Sequence, residues 1–330
     1  MTSQIRRRTP QMIHRLLKTR RQRRQNRAAS VSWRLGRFAA VLGLIVLAAG
    51  LLAVLGAGGY YLAAVKNLPS VDHLAHSLDP ALMAGPTRFY DRTGEIVLYE
   101  LGNAGVERRW LSVDPAEPQH FSPRFIQAAT ALEENFWTGA GISFAHWAEP
   151  RPYTMIEQLI AEFLLPQELI EEQRGPALRV LALQAQLKYG KTWILEGYLN
   201  TAYFGRTVYG ADQAAQVYLG KSASQLDLAE SALLLAVLAA PSLNPLDAPV
   251  EAAQGARIIL DQLAASGQYS ESDIQQARES VVHINPVYRA EPERYEWVGY
   301  AFDQAAAVVS ESRLERGGMR VITTLDAGLQ

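Results

Sequence analysis

A long apolar run lies near the amino end of the chain. No residue from Phe38 to Val65 is charged, and Arg37 and Lys66 bound the run. A helix that crosses a bilayer needs about 20 apolar residues, so this run is long enough to span one. A cleaved signal peptide is the alternative, but it would have a shorter apolar core and a smaller basic region before it. The pattern therefore favours one uncleaved transmembrane helix over residues 38–65.

Beyond residue 110, the spacing of apolar positions predicts mostly helices. Apolar residues recur at helical spacing over 124–136 and again over 176–189, where Pro176 opens the segment and Gly190 closes it. Residues 155–170 are rich in apolar side chains. Two further helices are predicted at about 248–266 and 271–281.

Residues 227–240 are the most apolar segment outside the predicted anchor. Asp227 and Glu230 stand at capping-box spacing at its start, and Pro241 marks its end. At about 13 residues the segment is too short to span a membrane. We therefore predict a buried helix in the core of the domain.

Strand signals are few. Residues 87–99 form two β-favouring runs around Asp91-Arg-Thr-Gly94, which predicts a hairpin. Residues 321–324 predict one more strand, and residues 66–86, with three prolines, predict a linker. The predicted fold class is mainly α, with a small β-hairpin region, preceded by one transmembrane helix.

The charges are segregated along the chain. Residues 1–37 hold twelve Arg or Lys and no acid, although the net charge of the whole chain is only -1. A basic flank of this kind places the amino end in the cytoplasm and the main domain outside it, in a single-pass protein of the cytoplasmic (inner) membrane. A nucleic-acid partner is the alternative, but the tail has no recognisable docking motif. Contact with anionic lipid explains the same residues more simply.

Some chemistries are excluded by composition. The chain has no cysteine, which excludes disulfides, a thiolate nucleophile and Cys-ligated metals. The six histidines show no spacing typical of metal ligands, so no metal site is predicted. There is no Ser-x-x-Lys or Lys-Thr-Gly signature, so penicillin binding is not expected within these residues.

An ordered run of short motifs occupies residues 191–246. It reads Lys191-Thr-Trp-Ile-Leu-Glu-Gly-Tyr-Leu-Asn200, Tyr203-Phe-Gly205, Tyr209-Gly210, Tyr218-Leu-Gly-Lys-Ser222, Leu228-Ala-Glu230 and Ala240-Pro-Ser-Leu-Asn-Pro-Leu246. This run resembles the C-terminal half of the glycosyltransferase family 51 domain, the peptidoglycan transglycosylase of class A penicillin-binding proteins and monofunctional transglycosylases. The resemblance implies a lysozyme-like helical fold.

The resemblance extends over about residues 68–330. Residues 68–72 and 87–94 resemble the linker and first hairpin of the family, and residues 320–330 resemble the segment that leads into a transpeptidase domain. The expected organisation is therefore a basic cytoplasmic tail (1–37), a transmembrane helix (38–65), a linker with a hairpin (66–110), a transglycosylase-like helical domain (111–290) and a lead-in segment (291–330).

The resemblance also implies site residues. The family polymerises lipid II with two glutamates and a cationic grip on the diphosphate, often assisted by a divalent cation. Glu133 matches the first, catalytic carboxylate, and Glu134 stands where Asp is usual. The candidate substrate-binding residues are Thr154 and Gln158 from the second motif, Arg174 from the third, and Lys191.

At several positions the chain lacks the charged or polar residue that is typical of the family. Leu178 replaces the second glutamate, Gly175 replaces a lysine, and Glu157 would repel a diphosphate. The segment between Glu133 and Thr154 is also shorter than is typical of the family. The losses fall in the half of the domain that carries the catalytic and substrate-binding positions of the family. The other half, with the motifs of residues 191–246 that pack the fold, is intact.

These losses leave three hypotheses open. The first is a degenerate transglycosylase that acts as a scaffold or regulator in peptidoglycan assembly, with no cofactor. The second is an active but divergent enzyme, which requires another acid such as Glu157, Glu171 or Glu172 facing Glu133 across a groove; Trp137, Trp147 or Tyr153 filling that groove would oppose it. The third is an assembly component whose tail and membrane helix bind other cell-wall proteins.

Overall fold

The computed structural model describes residues 37–38, 40–61, 66, 68–83, 85–101, 106, 108–133, 136–166, 168–287 and 296–328. The basic tail before residue 37, Glu134 and Gln330 lie outside the described residues. The chain divides into two compact units, residues 1–66 and 67–330. We describe each unit by itself.

The first unit contains helix α1, Ala40–Tyr61. It has 22 residues and a mean hydropathy of 2.7, and its large apolar side chains are exposed. Among the described residues it is the one helix long and apolar enough to cross a membrane. The helix falls within the predicted span of 38–65, whereas its orientation stays a prediction.

The second unit is mainly helical. Its helices are α2 (Asp72–Ser77), α3 (Pro80–Met83), α4 (Pro123–Leu132), α5 (Met155–Phe163), α6 (Glu171–Thr201), α7 (Ala211–Leu219), α8 (Leu228–Ala239), α9 (Pro249–Ala265), α10 (Glu271–Glu279), α11 (Glu296–Val309) and α12 (Glu311–Glu315). Its strands are β1 (Thr87–Tyr90), β2 (Val97–Leu101) and β3 (Arg320–Ile322).

Helix α8 lies in the centre of the main hydrophobic core. Leu228 to Val237 are all buried, and the helix packs against α4, α9 and α10. The predicted capping box is present: the Asp227 carboxylate accepts from the Glu230 backbone N–H, and the Glu230 carboxylate accepts from that of Asp227. The prediction of a capped, buried helix is confirmed.

A small sheet and a second core lie beside the helices. The strand order is β2-β1-β3, with β1 and β2 antiparallel and β3 parallel to β1. Phe89 and Leu101 of the sheet pack against Val298 and Phe302 of α11 and against Leu314 of α12. The predicted hairpin and the predicted final strand are therefore confirmed.

Two predicted helix boundaries were wrong. Helix α4 ends at Leu132 instead of Phe136, because Glu133 has extended backbone angles (φ -95°, ψ 112°). Helix α6 begins at Glu171 and runs through Pro176. That proline removes only the hydrogen bond to the carbonyl of the exposed Glu172, which water can replace. Gly190 interrupts the helix as predicted, with a positive φ of 77°.

Five helices were not predicted, and one of them is α7, within the motif run of residues 191–246. The linker 66–86 contains α2 and α3, and the lead-in segment contains α11 and α12. These helices are held by tertiary contacts, since Leu74 of α2 is fully buried in the main core and α11 covers the sheet. The predicted fold class, mainly helical with a small sheet and a preceding apolar helix, is confirmed.

Candidate active site

Glu133 lies directly after α4, and its side chain reaches the start of α5. Its carboxylate accepts a hydrogen bond of 2.8 Å from the Met155 backbone N–H, in the first turn of that helix. Burial raises the pKa of Glu133 above its ordinary value of 4.5, and the negative charge of Glu157 raises it further. The Met155 N–H and the positive charge of Lys191 oppose this rise in pKa.

Lys191 follows the break in α6 at Gly190. Its ammonium group donates 2.6 Å to the Gly139 carbonyl and also donates to the Phe136 carbonyl. The structure thus brings Lys191 near Glu133, as their electrostatic interaction shows. The ammonium group is used to hold the loop of residues 136–139.

Thr154 and Gln158 lie at the start of α5, and both make internal contacts. Thr154 caps the helix, accepting from the Glu157 N–H at 3.3 Å and donating 2.8 Å to the Gly141 carbonyl. Gln158 accepts 2.6 Å from the Tyr198 hydroxyl. Burial raises the pKa of Tyr198, with a contribution from the charge of Glu133. These contacts link both predicted residues to the fold around Glu133.

Glu157 forms a fully buried ion pair with Arg179 of α6. Glu157 Oε1 lies 3.4 Å from Arg179 Nε, and both side chains are 0% exposed. Glu157 also accepts two backbone hydrogen bonds of 2.8 Å, from Ser143 and from Tyr153. The acid that appeared repulsive in the sequence is therefore neutralised inside the protein.

The guanidinium of Arg179 also donates hydrogen bonds to the protein backbone. It donates 2.9 Å to the Glu149 carbonyl and 3.0 Å to the Arg151 carbonyl. Sequence reasoning missed this residue. The signal was a single charge inside the apolar stretch from Ala177 to Ala182, where a buried cation requires a buried partner.

The remaining predicted residues take no part in the Glu157–Arg179 ion pair. Leu178 is fully buried in the main core, so the position of the second glutamate is filled by packing. Arg174 donates to the Pro166 carbonyl at 3.4 Å. Glu171 and Glu172 are exposed in the first turn of α6.

Tyr153 lies over the buried pair. Its ring centroid is 5.8 Å from Arg179 Cζ, and the His146 ring stacks on it at 3.9 Å. Its hydroxyl donates to Glu149 and accepts 2.6 Å from Arg151 Nε. Hydrogen bonds from Tyr153 and His146 lower the pKa of Glu149 to about 2. This cluster therefore covers one face of the Arg179 guanidinium.

The other two aromatic candidates make different contacts. Trp137 is 54% exposed and lies edge-on to Phe136, with ring centroids 4.8 Å apart. Trp147 stacks on Phe144 at 6.4 Å. Of the three aromatic residues proposed to fill the groove, Tyr153 is the one that packs on the pair.

The arrangement limits what the site can do chemically. A half-buried carboxylate with a raised pKa, such as Glu133, is suited to accept a proton. A diphosphate also needs donors, but those of Lys191 and Arg179 are directed at protein carbonyls and at Glu157. Within the described ranges, no cluster of three His, Asp or Glu side chains is arranged to hold a metal ion.

The comparisons with known proteins agree with the motifs. Residues 153–264 match the family described as Transglycosylase, a range that includes Thr154, Gln158, Arg174 and Lys191 but not Glu133. The chain is 29% identical over 290 residues to penicillin-binding protein 1A of Aquifex aeolicus, covering 80% of this chain and 36% of that protein.

Two further relatives give the same result. Penicillin-binding protein 1A of Rickettsia prowazekii is 28% identical, with 80% of this chain and 34% of that protein covered. Penicillin-binding protein 2a of Streptococcus pneumoniae is 27% identical, with 90% and 40% covered. The chain thus spans a little over a third of the length of these relatives.

A solved structure of penicillin-binding protein 1A from Haemophilus influenzae also matches. It is 21% identical and covers 74% of this chain and 28% of that chain, with a TM-score of 0.37, which is too low to define the fold. The sequence matches are sufficient without it, since the family match and the relatives coincide with the motif run at 191–246. The family match and the relatives together support a transglycosylase domain of glycosyltransferase family 51 that includes residues 153–264.

Proposed function

We propose that this protein is a membrane-anchored, degenerate peptidoglycan glycosyltransferase that acts in cell-wall assembly as a scaffold or regulator. Its transglycosylase domain keeps the fold and one candidate catalytic carboxylate, Glu133. It has little or no capacity to polymerise lipid II. No cofactor is required for this role.

The buried Glu157–Arg179 pair carries the proposal. Next to Glu133 the protein places an acid and a cation that neutralise each other and that also bind four backbone groups. Removing either partner to bind a substrate would leave an unpaired buried charge, which costs several kcal/mol, about 3–5. A diphosphate therefore gains no accessible cation from Arg179.

A divergent active enzyme is the second candidate function. It is favoured by the raised pKa of Glu133, because a general base works best when its pKa lies closer to the operating pH. Three acids were named as replacements for the second glutamate of the family. Of these, Glu157 is fully buried, and Glu171 and Glu172 are exposed. This candidate would need a divalent cation or another cation to hold the diphosphate.

The proposed location follows from residues 1–66, the amino-terminal fifth of the chain. Helix α1 crosses the inner membrane once, the basic tail lies in the cytoplasm, and the transglycosylase domain lies on the outer side. Lipid II and other cell-wall assembly proteins are the proposed partners. Deleting residues 1–37 should weaken association with such proteins if the tail contributes to binding, and unchanged association would exclude that contribution.

A polymerisation assay tests the proposed function. Purified full-length protein in detergent is incubated with lipid II and a divalent cation, and glycan chains are separated by gel electrophoresis. We expect no polymer above the level of a protein-free reaction. An active family member under the same conditions serves as the positive control.

The Glu133→Gln variant makes the outcome unambiguous. Polymer formed by the wild-type chain but not by Glu133→Gln would overturn the proposal and establish the divergent enzyme. Polymer formed equally by both would indicate a contaminating synthase. Binding of labelled lipid II, measured separately, shows whether a scaffold role includes the substrate.

A further inference from the structure

The carboxyl end of α12 brings an arginine into the protein interior. Arg316 is 3% exposed, and its Nε and Nη1 atoms have no hydrogen-bond acceptor among the described residues. Its remaining nitrogen, Nη2, pairs with Glu162 of α5. Buried arginine nitrogens without acceptors are rare, and each requires a specific explanation, such as a bound water or ion.

Arg316 lines a cavity of about 180 Å³. The other walls come from α5, from the end of α6 with the two residues after it, and from the end of α8. Their polar members are Gln158, Glu162, Tyr198, Thr201 and Tyr203. One water molecule needs only about 10–15 Å³ of such space, so the cavity can hold a larger polar group. The space therefore suits a small ligand next to an incompletely paired guanidinium.

Two more arginines concentrate positive charge at this place. Burial lowers the pKa of Arg108 to about 10, and the charges of Arg316 and Arg313 contribute to the shift. Burial and Arg316 likewise lower the pKa of Arg313. The acids near Arg316 are Glu162, which pairs with it directly, and Glu315, which accepts from the Tyr209 hydroxyl at 3.2 Å. The charges of Arg108 and Arg313 thus act on Arg316 from outside the residues that line the cavity.

Aromatic rings fix the position of the Arg316 guanidinium. Its Cζ lies 4.5 Å from the centroid of the Phe163 ring and 5.4 Å from that of Tyr209. Such contacts stabilise a cation and prevent it from turning out to water. Glu162, by contrast, has a side chain that is 41% exposed. An outward turn of Glu162 would leave the cation in place without its carboxylate partner.

We propose that this cavity binds a phosphate-type oxyanion on Arg316, in the place that the Glu162 carboxylate occupies in the structure. A guanidinium offers several N–H donors to phosphate oxygens, and a doubly charged anion compensates positive charge better than the single carboxylate of Glu162 does. Arg316 lies outside residues 153–264, the range that matches the transglycosylase family. Gln158 and Tyr198 line this cavity and also lie beside Glu133, so the proposed anion site adjoins the candidate active site.

Two sources can supply this oxyanion. One is free phosphate or diphosphate, and the other is the phosphorylated head group of a lipid. The first is probed with inorganic diphosphate and the second with nanodiscs that contain phosphatidic acid, compared with nanodiscs of phosphatidylcholine alone. Binding of diphosphate alone identifies a soluble anion, and binding of phosphatidic acid alone identifies a lipid.

Isothermal titration of full-length protein in detergent, at fixed ionic strength, tests the proposal. We expect saturable binding of inorganic diphosphate, lost in Arg316→Gln. Glu162→Gln should tighten binding about tenfold, because it removes the competing carboxylate from the guanidinium. The loss of binding in Arg316→Gln is evidence only if the circular dichroism spectrum of that variant is unchanged. If the spectrum has changed, the affinity of Glu162→Gln for diphosphate decides whether the proposal stands.

The exposed pair of Arg278 and Asp261 supplies the matched control. Asp261→Asn also releases an arginine from its carboxylate, but in an exposed pair whose residues are not among those that line this cavity. It should leave the dissociation constant unchanged. The proposal is overturned if neither the wild-type protein nor Glu162→Gln binds diphosphate or phosphatidic acid. It is equally overturned if Asp261→Asn tightens binding as much as Glu162→Gln.

Discussion

Two regions of the transglycosylase domain use their polar residues in different ways. In residues 191–246, the polar residues of the family motifs join one segment of the fold to another. In residues 133–179, polar residues at the positions expected to meet the substrate bind each other instead. The comparison separates what the fold requires from what catalysis would require.

Glu196 and Asn200 show how the first region works. Glu196 accepts hydrogen bonds from the Trp110 ring nitrogen, the Ser112 hydroxyl and the Val113 N–H, over 2.9–3.1 Å. Asn200 binds both backbone groups of Leu111, at 2.9 and 2.8 Å. These side chains bind residues 110–113 to α6. Their role is therefore structural, since the partners named here all belong to the protein.

The second region satisfies its charges internally. Glu157 and Arg179 are paired and fully buried, and Leu178 packs in the core. Glu133 keeps a raised pKa and partial exposure. A domain can therefore keep every contact that its fold needs while the groups that would hold a substrate become part of the interior.

Breaking the buried pair should have the largest effect on stability. Glu157→Gln leaves the buried Arg179 without its counter-charge, and we expect the free energy of unfolding to fall by about 3–5 kcal/mol. Urea denaturation followed by circular dichroism measures it. Asp261→Asn, which breaks the exposed pair with Arg278, should change stability by less than about 1 kcal/mol. Similar values for the two variants would show that the Glu157–Arg179 pair is not a structural centre.

Removing a contact in the first region should have the next largest effect. Asn200→Ala leaves the buried N–H and carbonyl of Leu111 unpaired, and each such group costs about 1–3 kcal/mol, so we expect a loss of roughly 2–4 kcal/mol. The same denaturation assay applies. Gln275→Ala on the exposed face of α10 should change stability by less than about 0.5 kcal/mol. A loss below 1 kcal/mol for Asn200→Ala would mean that these motif residues do not fasten the fold.

The smallest effect should be the pH dependence of stability that comes from the titration of Glu133. Because its pKa is raised by folding, the folded state holds the proton more tightly than the unfolded state does. Wild-type stability should therefore fall, relative to Glu133→Gln, as the pH rises from about 4.5 through the folded pKa, and then stay level. Thermal unfolding of both proteins between pH 4 and 8 measures the difference. A difference that does not change with pH would show that the pKa of Glu133 is ordinary.

Repetitive local patterns made much of the fold predictable. The capping box at Asp227 and Glu230, the break at Gly190 and the turn between β1 and β2 are set by residues close together in sequence. Helices α2 and α11 were missed because they are held by burial against distant segments. The end of α4 was misplaced because Glu133 leaves the helix to contact Met155, 22 residues later.

The candidate site was predictable only in part. The structure places Thr154, Gln158 and Lys191 around Glu133, and their role in substrate binding stays a prediction. The motifs gave no role to Arg179. A pairing between Glu157 and Arg179 requires that α5 and α6 pack side by side, which no local pattern shows.

The sequence by itself determined the apolar span, the helical character of the domain and its family, because these depend on composition, periodicity and motifs along the chain. The tertiary structure alone decided that Glu157 is neutralised, that Lys191 holds a loop and that Arg316 is buried beside a cavity. The physical reason is that the effect of a charge depends on its partners and on the surrounding water. Both are set by contacts between residues far apart in the chain.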